Sequence, residues 1–326
     1  MAGTRRARGA VASRLIAGQL VAWDADRVPG DCRFAPPPSL GDSAITQPPP
    51  TERQGRLFVV STPIGNLGDL TVRAAEVLRS VSVILAEDTR HSRTLLDHYA
   101  IQTPAVAYHE HNEARATPAM LARLQSGEDL ALITDAGTPL VSDPGARLVR
   151  AAAEAGVPVV PVPGASALLA ALVASGLESE RFTFFGFLPR KGRERADALA
   201  ELAGLRHTAV LYEAPGRVAD TLQELTDAGH GARTAAVARE LTKQFEDIRR
   251  GTLAELAAYY SVTPPRGEVV IVLAGQPEAV ITETELRDRA RALRAEGVTP
   301  RDVVRRLMAE AGAPRNLAYR LAHEVE

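Results

Sequence analysis

The stretch Ala131-Leu-Ile-Thr-Asp-Ala-Gly-Thr-Pro-Leu-Val-Ser-Asp-Pro-Gly145 decides how this chain is expected to fold. Its first four residues predict a short buried strand, which Asp135-Ala-Gly-Thr-Pro139 ends. Ser142-Asp-Pro-Gly145 predicts a turn into a helix that begins at about residue 146. Loops at the carboxyl ends of strands in open α/β sheets bind small ligands, so the stretch indicates a ligand site. A tight turn with Asp143 as the helix N-cap explains the same residues equally well.

Strands and helices alternate on both sides of this stretch. Apolar runs over 57–61, 82–86, 105–108 and 157–162 are each separated by a helical pattern, which predicts βα units and a mainly parallel sheet. We therefore expect a two-domain α/β protein. Its segments are a first domain over 55–163, a linker helix over 164–179, and a second domain with a mixed sheet over 180–276.

Two regions lie outside this pattern. Residues 1–54 contain two proline triplets and no sustained period, and they predict a disordered extension. Residues 277–326 predict three short helices with turns at Gly297 and Gly312, which is the size of a helix-turn-helix unit.

The composition excludes several classes of protein. The chain has 326 residues, 45% of them hydrophobic, and a formal net charge of −2, so any basic surface for nucleic acid must be local. No run reaches the roughly 18 apolar residues that span a bilayer. Cys32 is the only cysteine, so we expect no disulfide and no cysteine metal site. These features favour a cytoplasmic protein without a membrane segment.

Nucleotide-binding signatures are missing, but four loops are expected to converge on one cleft. The chain has no Walker A motif, and Gly65-Asn-Leu-Gly68 is too short for a dinucleotide fingerprint. These loops are 62–68, 135–139, 163–166 and 212–215. They offer backbone groups and small residues but few cationic side chains. A zwitterionic, adenosine-bearing ligand fits such loops better than a triphosphate does.

Charged residues follow three other strands, over 87–91, 109–113 and 239–246. They indicate a polar substrate surface, although solvated loop charge is the simpler alternative. His109 and His111 lie two residues apart at a strand end, and because a pair of histidines alone is too few ligands for a metal centre, we expect no metal site here. Only Lys191 and Lys243 are lysines among 38 basic residues. Lys243 lies in the third of these clusters, and Lys191 lies in the loop 188–192 after another predicted strand.

Seven motifs in one order carry a resemblance to a known family. Between about residues 55 and 275 the chain resembles the bacterial small-subunit ribosomal RNA methyltransferase I family of the tetrapyrrole methylase superfamily, and the helical tail is similar to that family's C-terminal module. The motifs are Ser61-Thr-Pro-Ile-Gly-Asn-Leu-Gly-Asp69, Ala86-Glu-Asp-Thr-Arg90, His109-Glu-His-Asn-Glu113, Thr134-Asp-Ala-Gly-Thr-Pro139, Ser142-Asp-Pro-Gly145, Gly186-Phe-Leu-Pro-Arg-Lys191 and Arg239-Glu-Leu-Thr-Lys243.

The resemblance implies a homodimer that binds S-adenosylmethionine in the cleft between two α/β domains. It also implies 2′-O-methylation of a cytidine ribose in the decoding region of 16S rRNA, within the small ribosomal subunit. Asp135 is expected to take a polar end of the cofactor. The cofactor contacts that the resemblance implies are Pro63, Ile64, Gly65, Asp135, Thr138, Gly164, Ala165, Ser166 and Tyr212.

The reaction needs a base, or a cation that lowers the pKa of the ribose hydroxyl, as well as alignment of that oxygen with the methyl group. We hypothesise that Lys243 fills this role, oriented by Glu240 or by Glu87 and Asp88, because lysine persists there in an arginine-rich chain. The residues expected to contact RNA are Arg90, His109, Arg190, Lys191, Arg193 and Arg239.

Two other functions stay open. One keeps the fold and makes the chain a C-methyltransferase acting on a tetrapyrrole of the cobalamin pathway. The other is a non-catalytic RNA-binding protein that senses the cofactor. The charged loops and the helical tail favour RNA over a macrocycle.

Overall fold

The first sheet is fully parallel, as predicted, and has the strand order β3-β2-β4-β1-β5. The computed structural model describes residues 54–276 and 282–324, so the extension predicted over 1–54 lies outside the described residues except for its last one. The strands are β1 Leu57–Val60, β2 Val83–Ala86, β3 Ala105–Ala107, β4 Leu130–Ile133 and β5 Val159–Val162.

Helices cover both faces of this sheet, because its strands are apolar on both sides. Phe58 and Val60 pack with the helices α1 and α2, whereas Leu57 packs on the opposite face with α3 and α4. The helices are α1 Val72–Ser80, α2 Thr89–His98, α3 Glu113–Gln125 and α4 Ala146–Glu154, with a 3₁₀ turn at Leu67–Asp69 before α1.

The second sheet is mixed, with the order β6-β7-β10-β8-β9. Only β6 and β7 pair in parallel, and the other neighbours are antiparallel. The strands are β6 Phe182–Phe187, β7 Thr208–Glu213, β8 Thr234–Arg239, β9 Asp247–Thr252 and β10 Val269–Leu273.

One face of the second sheet packs against α6, α7 and α8, and the other packs against α5. Ile64 of the first domain belongs to the same apolar cluster as α5, so the two domains share a core where they meet. The helices are α5 Ala167–Ser175, α6 Arg193–Gly204, α7 Val218–Leu225 and α8 Leu253–Val262, with short helical turns at Pro215–Arg217 and Thr226–His230.

Strand β9 has no counterpart in the sequence prediction. Its residues, Asp247-Ile-Arg-Arg-Gly-Thr252, include three charged side chains and lack the apolar alternation of a half-buried strand. It forms because it lies at the sheet edge and pairs with β8 along its whole length, from Thr234↔Thr252 to Arg239↔Asp247. Tertiary pairing, rather than its own pattern, makes it a strand.

The tail forms the three predicted helices, α9 Glu283–Ala295, α10 Pro300–Ala311 and α11 Arg315–Glu324. Their starts and stops follow local capping rules: Thr282 and Glu285 form a capping box, and Gly312 ends α10 with a φ of 62°. Leu286, Leu307 and Leu321 belong to a separate apolar cluster of the tail. Among the described residues, no helix is long and apolar enough to cross a membrane.

Candidate active site

A cavity of about 320 Å³ lies between the two α/β domains. The first domain lines it with residues 136–138 and 141–143, which follow β4, and the second domain lines it with 212–215 and 267–270. Ile64, Phe187 and the start of α5 complete the wall, which is mostly apolar. Its size and its few polar groups are typical of a small-molecule site.

Hydrogen bonds hold the loops on the first-domain side in one arrangement. Thr62 and Gly137 exchange two backbone hydrogen bonds, of 2.8 and 3.1 Å. The hydroxyls of Ser61 and Thr138 lie 2.9 Å apart, and the Thr138 hydroxyl also donates to the carbonyl of Ala165. Because β4, β1 and β5 are neighbours in the sheet, the loops that follow them meet here.

Four of the nine predicted cofactor residues line the cavity: Ile64, Thr138, Ser166 and Tyr212. Ser166 also caps α5, and the Tyr212 ring contacts the Phe187 ring edge to face at 5.5 Å between centroids. The other five are not among the lining residues, and all nine stay predictions as cofactor contacts. The five outside the lining are Pro63, Gly65, Asp135, Gly164 and Ala165.

Of the two aspartates that follow β4, Asp143 lines the cavity and Asp135 does not. The Asp135 side chain accepts a hydrogen bond of 3.1 Å from the backbone N–H of Asp88, which ties it to the loop after β2. The alternative of Asp143 as a helix N-cap is wrong, because Gly145 occupies the N-cap of α4 with a φ of 123°. Burial, followed by the charge of Glu87, raises the pKa of Asp143 to about 6. A bound cation would lower this pKa again, because an opposite charge nearby favours the ionised carboxylate.

Lys243 lies beside the cavity as the centre of an ion-pair network. Its Nζ donates to Glu240 at 2.9 Å and to Glu268 at 3.0 Å, and Glu268 lines the cavity. Burial lowers the pKa of Lys243, but the two carboxylates together outweigh it and the pKa is raised. Lys243 is therefore a fixed ammonium group, and its chemistry is that of a cation rather than of a base.

Two glycines make room for this network. A Cβ on Gly65 would lie 2.4 Å from the Lys243 Cγ, and one on Gly267 would lie 2.1 Å from the Glu240 Oε1. Gly65 thus passes against the aliphatic stem of Lys243, which brings the first-domain loop onto the second-domain loop. The sequence indicated Gly65 as a cofactor contact and gave no sign of this second function.

Of the carboxylates hypothesised to orient Lys243, Glu240 accepts a hydrogen bond from its ammonium group, whereas Glu87 and Asp88 make other contacts. Asp88 caps α2 and pairs with Arg90 at 2.9 Å, while Glu87 accepts a weak hydrogen bond of 3.4 Å from the Asp135 N–H. Glu268 supplies the second carboxylate instead. It lies 25 positions from Lys243 in the chain and carried no motif.

The predicted RNA contacts lie on separate segments of the chain, some at the ends of helices or strands and some in loops. Arg190 and Lys191 are exposed, Arg193 is exposed beside Asp197, and Arg239 lies 3.7 Å from Asp247. Arg90 is exposed beside Asp88. His109 is partly buried, and its Nδ1 has no hydrogen-bond partner among the described residues. In that same part of the chain, no group of three His, Cys, Asp or Glu residues is arranged to hold a metal ion.

Comparison with known proteins matches this architecture to a family. The model of the tetrapyrrole (corrin/porphyrin) methylases matches residues 56–257. The ribosomal RNA small subunit methyltransferase I of Xylella fastidiosa is 49% identical over 251 residues, which cover 76% of this chain and 91% of that one. The protein of the same name from Synechocystis is 47% identical over 248 residues, covering 75% and 89%.

A solved structure of cobalt precorrin-4 methyltransferase has the same fold, with a TM-score of 0.52. It is 21% identical and covers 67% of this chain and 94% of its own. The two-domain α/β architecture is thus that of a tetrapyrrole methylase. By the identity and coverage of its curated relatives, the chain belongs to the ribosomal RNA small subunit methyltransferase I family of the tetrapyrrole methylases.

Proposed function

We propose that this enzyme transfers a methyl group from S-adenosylmethionine to the 2′-oxygen of a cytidine ribose in the decoding region of 16S rRNA. The observation that best supports this proposal is the position of the Lys243 ammonium group, which Glu240 and Glu268 hold at the edge of a cavity between two domains. The names of relatives that are 47–49% identical support ribosomal RNA of the small subunit as the substrate.

The cavity suits the proposed cofactor chemically. Its apolar lining and the ring of Tyr212 offer a surface for a nucleoside, and the backbone of 136–138 offers polar groups. Asp143 and Glu268 supply negative charge for the cationic groups of the ligand. S-adenosylmethionine supplies an electrophilic methyl group when it is bound.

In this proposal the chain's own residues align and activate the ribose hydroxyl. The Lys243 ammonium group lies near the hydroxyl oxygen and lowers its pKa, so that the hydroxyl proton passes to water as the oxygen takes the methyl group. The same ammonium group stabilises the negative charge that develops on that oxygen. Glu240 and Glu268 hold that ammonium group in one position, since two hydrogen bonds fix its direction. The positions of the cofactor cavity and of the ammonium group thus define where the ribose must lie.

The test is ribose-methylation mapping of 16S rRNA from cells with and without this protein, together with methyl transfer to isolated small ribosomal subunits. We expect one cytidine to lose its 2′-O-methyl group without the protein, and wild-type protein but not Lys243→Met to restore it. A methyl group on a base, or transfer to a tetrapyrrole instead of to subunits, would refute the assignment. Because the substrate is a ribosomal subunit, we propose that the enzyme acts in the cytoplasm.

We also propose a homodimer that is joined in part through α5. This helix is apolar all round, which is typical of a helix buried on every side. Its inner face packs on the second sheet, whereas Leu169 and Val173, one helical turn apart, are 50% and 76% exposed. Light scattering of the wild type and of Leu169→Glu tests this, and a wild-type monomer would contradict it.

A further inference from the structure

A second cavity, of about 230 Å³, lies at the edge of the second sheet and takes no part in the proposed chemistry. Arg239, Asp247 and Arg249 line it from β8 and β9, while Tyr259 and Tyr260 line it from α8. Residues 263–266, between α8 and β10, close it. We call it the edge pocket.

Positive charge exceeds negative charge in the edge pocket. Three arginines line it, at 239, 249 and 266, against the single carboxylate of Asp247, which lies 3.7 Å from Arg239. Arg266 is exposed and has no ion-pair or hydrogen-bond partner within 54–276 and 282–324. Guanidinium groups bind phosphate through two parallel hydrogen bonds, so such a cluster fits a phosphate group.

Two buried polar groups of the edge pocket are unsatisfied. Neither the Tyr260 hydroxyl nor the Arg249 Nε has a hydrogen-bond partner among the described residues, although Tyr260 is only 2% exposed. Burial raises the pKa of Tyr260 to about 12, so its hydroxyl keeps its proton and can donate. Buried polar groups without partners are rare in folded proteins, and an acceptor in the pocket would satisfy both.

The edge pocket is connected to the Lys243 network through two short stretches of chain. Arg239 directly precedes Glu240, and Arg266 is followed by Gly267 and Glu268. Glu240 and Glu268 are the two carboxylates that hold Lys243. A ligand in the edge pocket would therefore be fixed relative to the ammonium group.

We propose that the edge pocket binds a backbone phosphate of the rRNA close to the methylated nucleotide and so positions its ribose at Lys243. The inference rests on the proposed function, since it takes RNA as the substrate. The Arg249 guanidinium, which lies over the Tyr259 ring at 3.7 Å, is held in place for this contact by the aromatic ring. Arg266 and the Tyr260 hydroxyl complete the set of donors.

The test measures methyl transfer by the full chain to isolated small ribosomal subunits, with kcat and KM determined over a range of salt concentrations. Arg266→Ala is expected to raise KM several-fold, and to reduce the salt slope of log(1/KM) by about 0.7, the value for one phosphate contact on single-stranded RNA. Tyr260→Phe is expected to raise KM without lowering Tm, because it removes a hydroxyl that has no hydrogen-bond partner in the described part of the chain. Arg150→Ala, an exposed arginine on α4 outside both cavities, is the matched control and leaves KM unchanged.

The outcomes separate the inference from the function on which it rests. A wild type that does not methylate subunits refutes the proposed function. An active wild type whose KM and salt slope are unaffected by Arg266→Ala and Tyr260→Phe refutes the edge pocket as an RNA site. Binding of inorganic phosphate, measured at constant ionic strength, tests whether the pocket binds a free anion instead. If phosphate binds the wild type but not Arg266→Ala, and the two proteins have the same KM for subunits, the pocket binds a free anion and the inference fails.

Discussion

Substituting Gly267 by alanine is expected to disable the Lys243 network without removing any of its charged groups. Gly267 has a φ of +81°, and a Cβ there would lie 2.1 Å from the Glu240 Oε1 and 2.2 Å from its Cδ. These distances are far below van der Waals contact, so Glu240 must move. The same Oε1 accepts hydrogen bonds from the Lys243 Nζ and from the Glu268 N–H, and both are lost when it moves.

The expected magnitude has two parts. The left-handed backbone costs a residue with a Cβ about 1–2 kcal/mol of folding free energy. In catalysis, a displacement of about 1 Å in a positioned group can lower the rate about 100-fold. We therefore expect Gly267→Ala to lose about 100-fold in kcat, or about 2.7 kcal/mol of transition-state stabilisation. Cofactor affinity should change much less, because the added methyl group points at Glu240.

The assay is single-turnover methyl transfer to small ribosomal subunits, with urea unfolding of the same samples. Gly156→Ala is the matched control: its φ is +72°, and an added Cβ meets no heavy atom within 4 Å. It should show the loss of stability from the backbone alone and keep its kcat. If Gly267→Ala retains as much activity as Gly156→Ala, the position of Glu240 does not control the reaction and the reasoning is refuted.

Three further predictions concern single side chains of the same site. Lys243→Arg is expected to lower kcat by about 10²–10⁴-fold in the same assay, because the larger planar group cannot take the place of an ammonium between Glu240 and Glu268; near-full turnover would rule out the mechanism. Asp143→Asn is expected to raise Tm most above pH 6. The folded pKa of Asp143, about 6, exceeds its ordinary 3.8, so its ionisation opposes folding above pH 6, and the gain shrinks as the pH falls from 6 to 3.8; a gain independent of pH would contradict this. Thr242→Gly is expected to stabilise the fold by about 1 kcal/mol, because it relieves a φ of 66° at a β-branched residue. It also removes a buried hydroxyl that has no partner among the described residues. An unchanged midpoint of urea unfolding would exclude this strain.

The loops of the site could be predicted from sequence because each follows a buried apolar strand. Parallel order then brings the loops after β1, β4 and β5 together, as Thr62, Gly137 and Ala165 show. Function within a loop was harder to predict. A carboxylate in a turn before a helix has the pattern of an N-cap, so Asp143 was not among the predicted site residues.

Contacts between distant segments left no signal in the sequence. Glu268 pairs with Lys243 across 25 positions in the chain. In the sequence it is a single glutamate before an apolar strand, which predicts nothing about its partner. Strand β9 shows the same limit, since pairing with β8 rather than its own residues makes it extended. One-dimensional patterns report burial and local turns, whereas the ion pairs and edge strands depend on how the segments are brought together.

Backbone strain is concentrated in the two loops that face each other across the cavity. Five non-glycine residues among those described have a positive φ, and four of them are Leu140, Ser142, Glu240 and Thr242. At about 1–2 kcal/mol each, such conformations persist only where other contacts determine them. Thr242 donates its N–H to Glu246 at 2.7 Å, and Glu240 is held by Lys243 and Glu268. At Glu240 the strain is therefore balanced by the same bonds that fix the ammonium group. We expect a variant that breaks those bonds to release this loop from the conformation proposed for catalysis while relieving its strain. For this reason we expect activity, rather than stability, to be the more sensitive readout of substitutions in these loops.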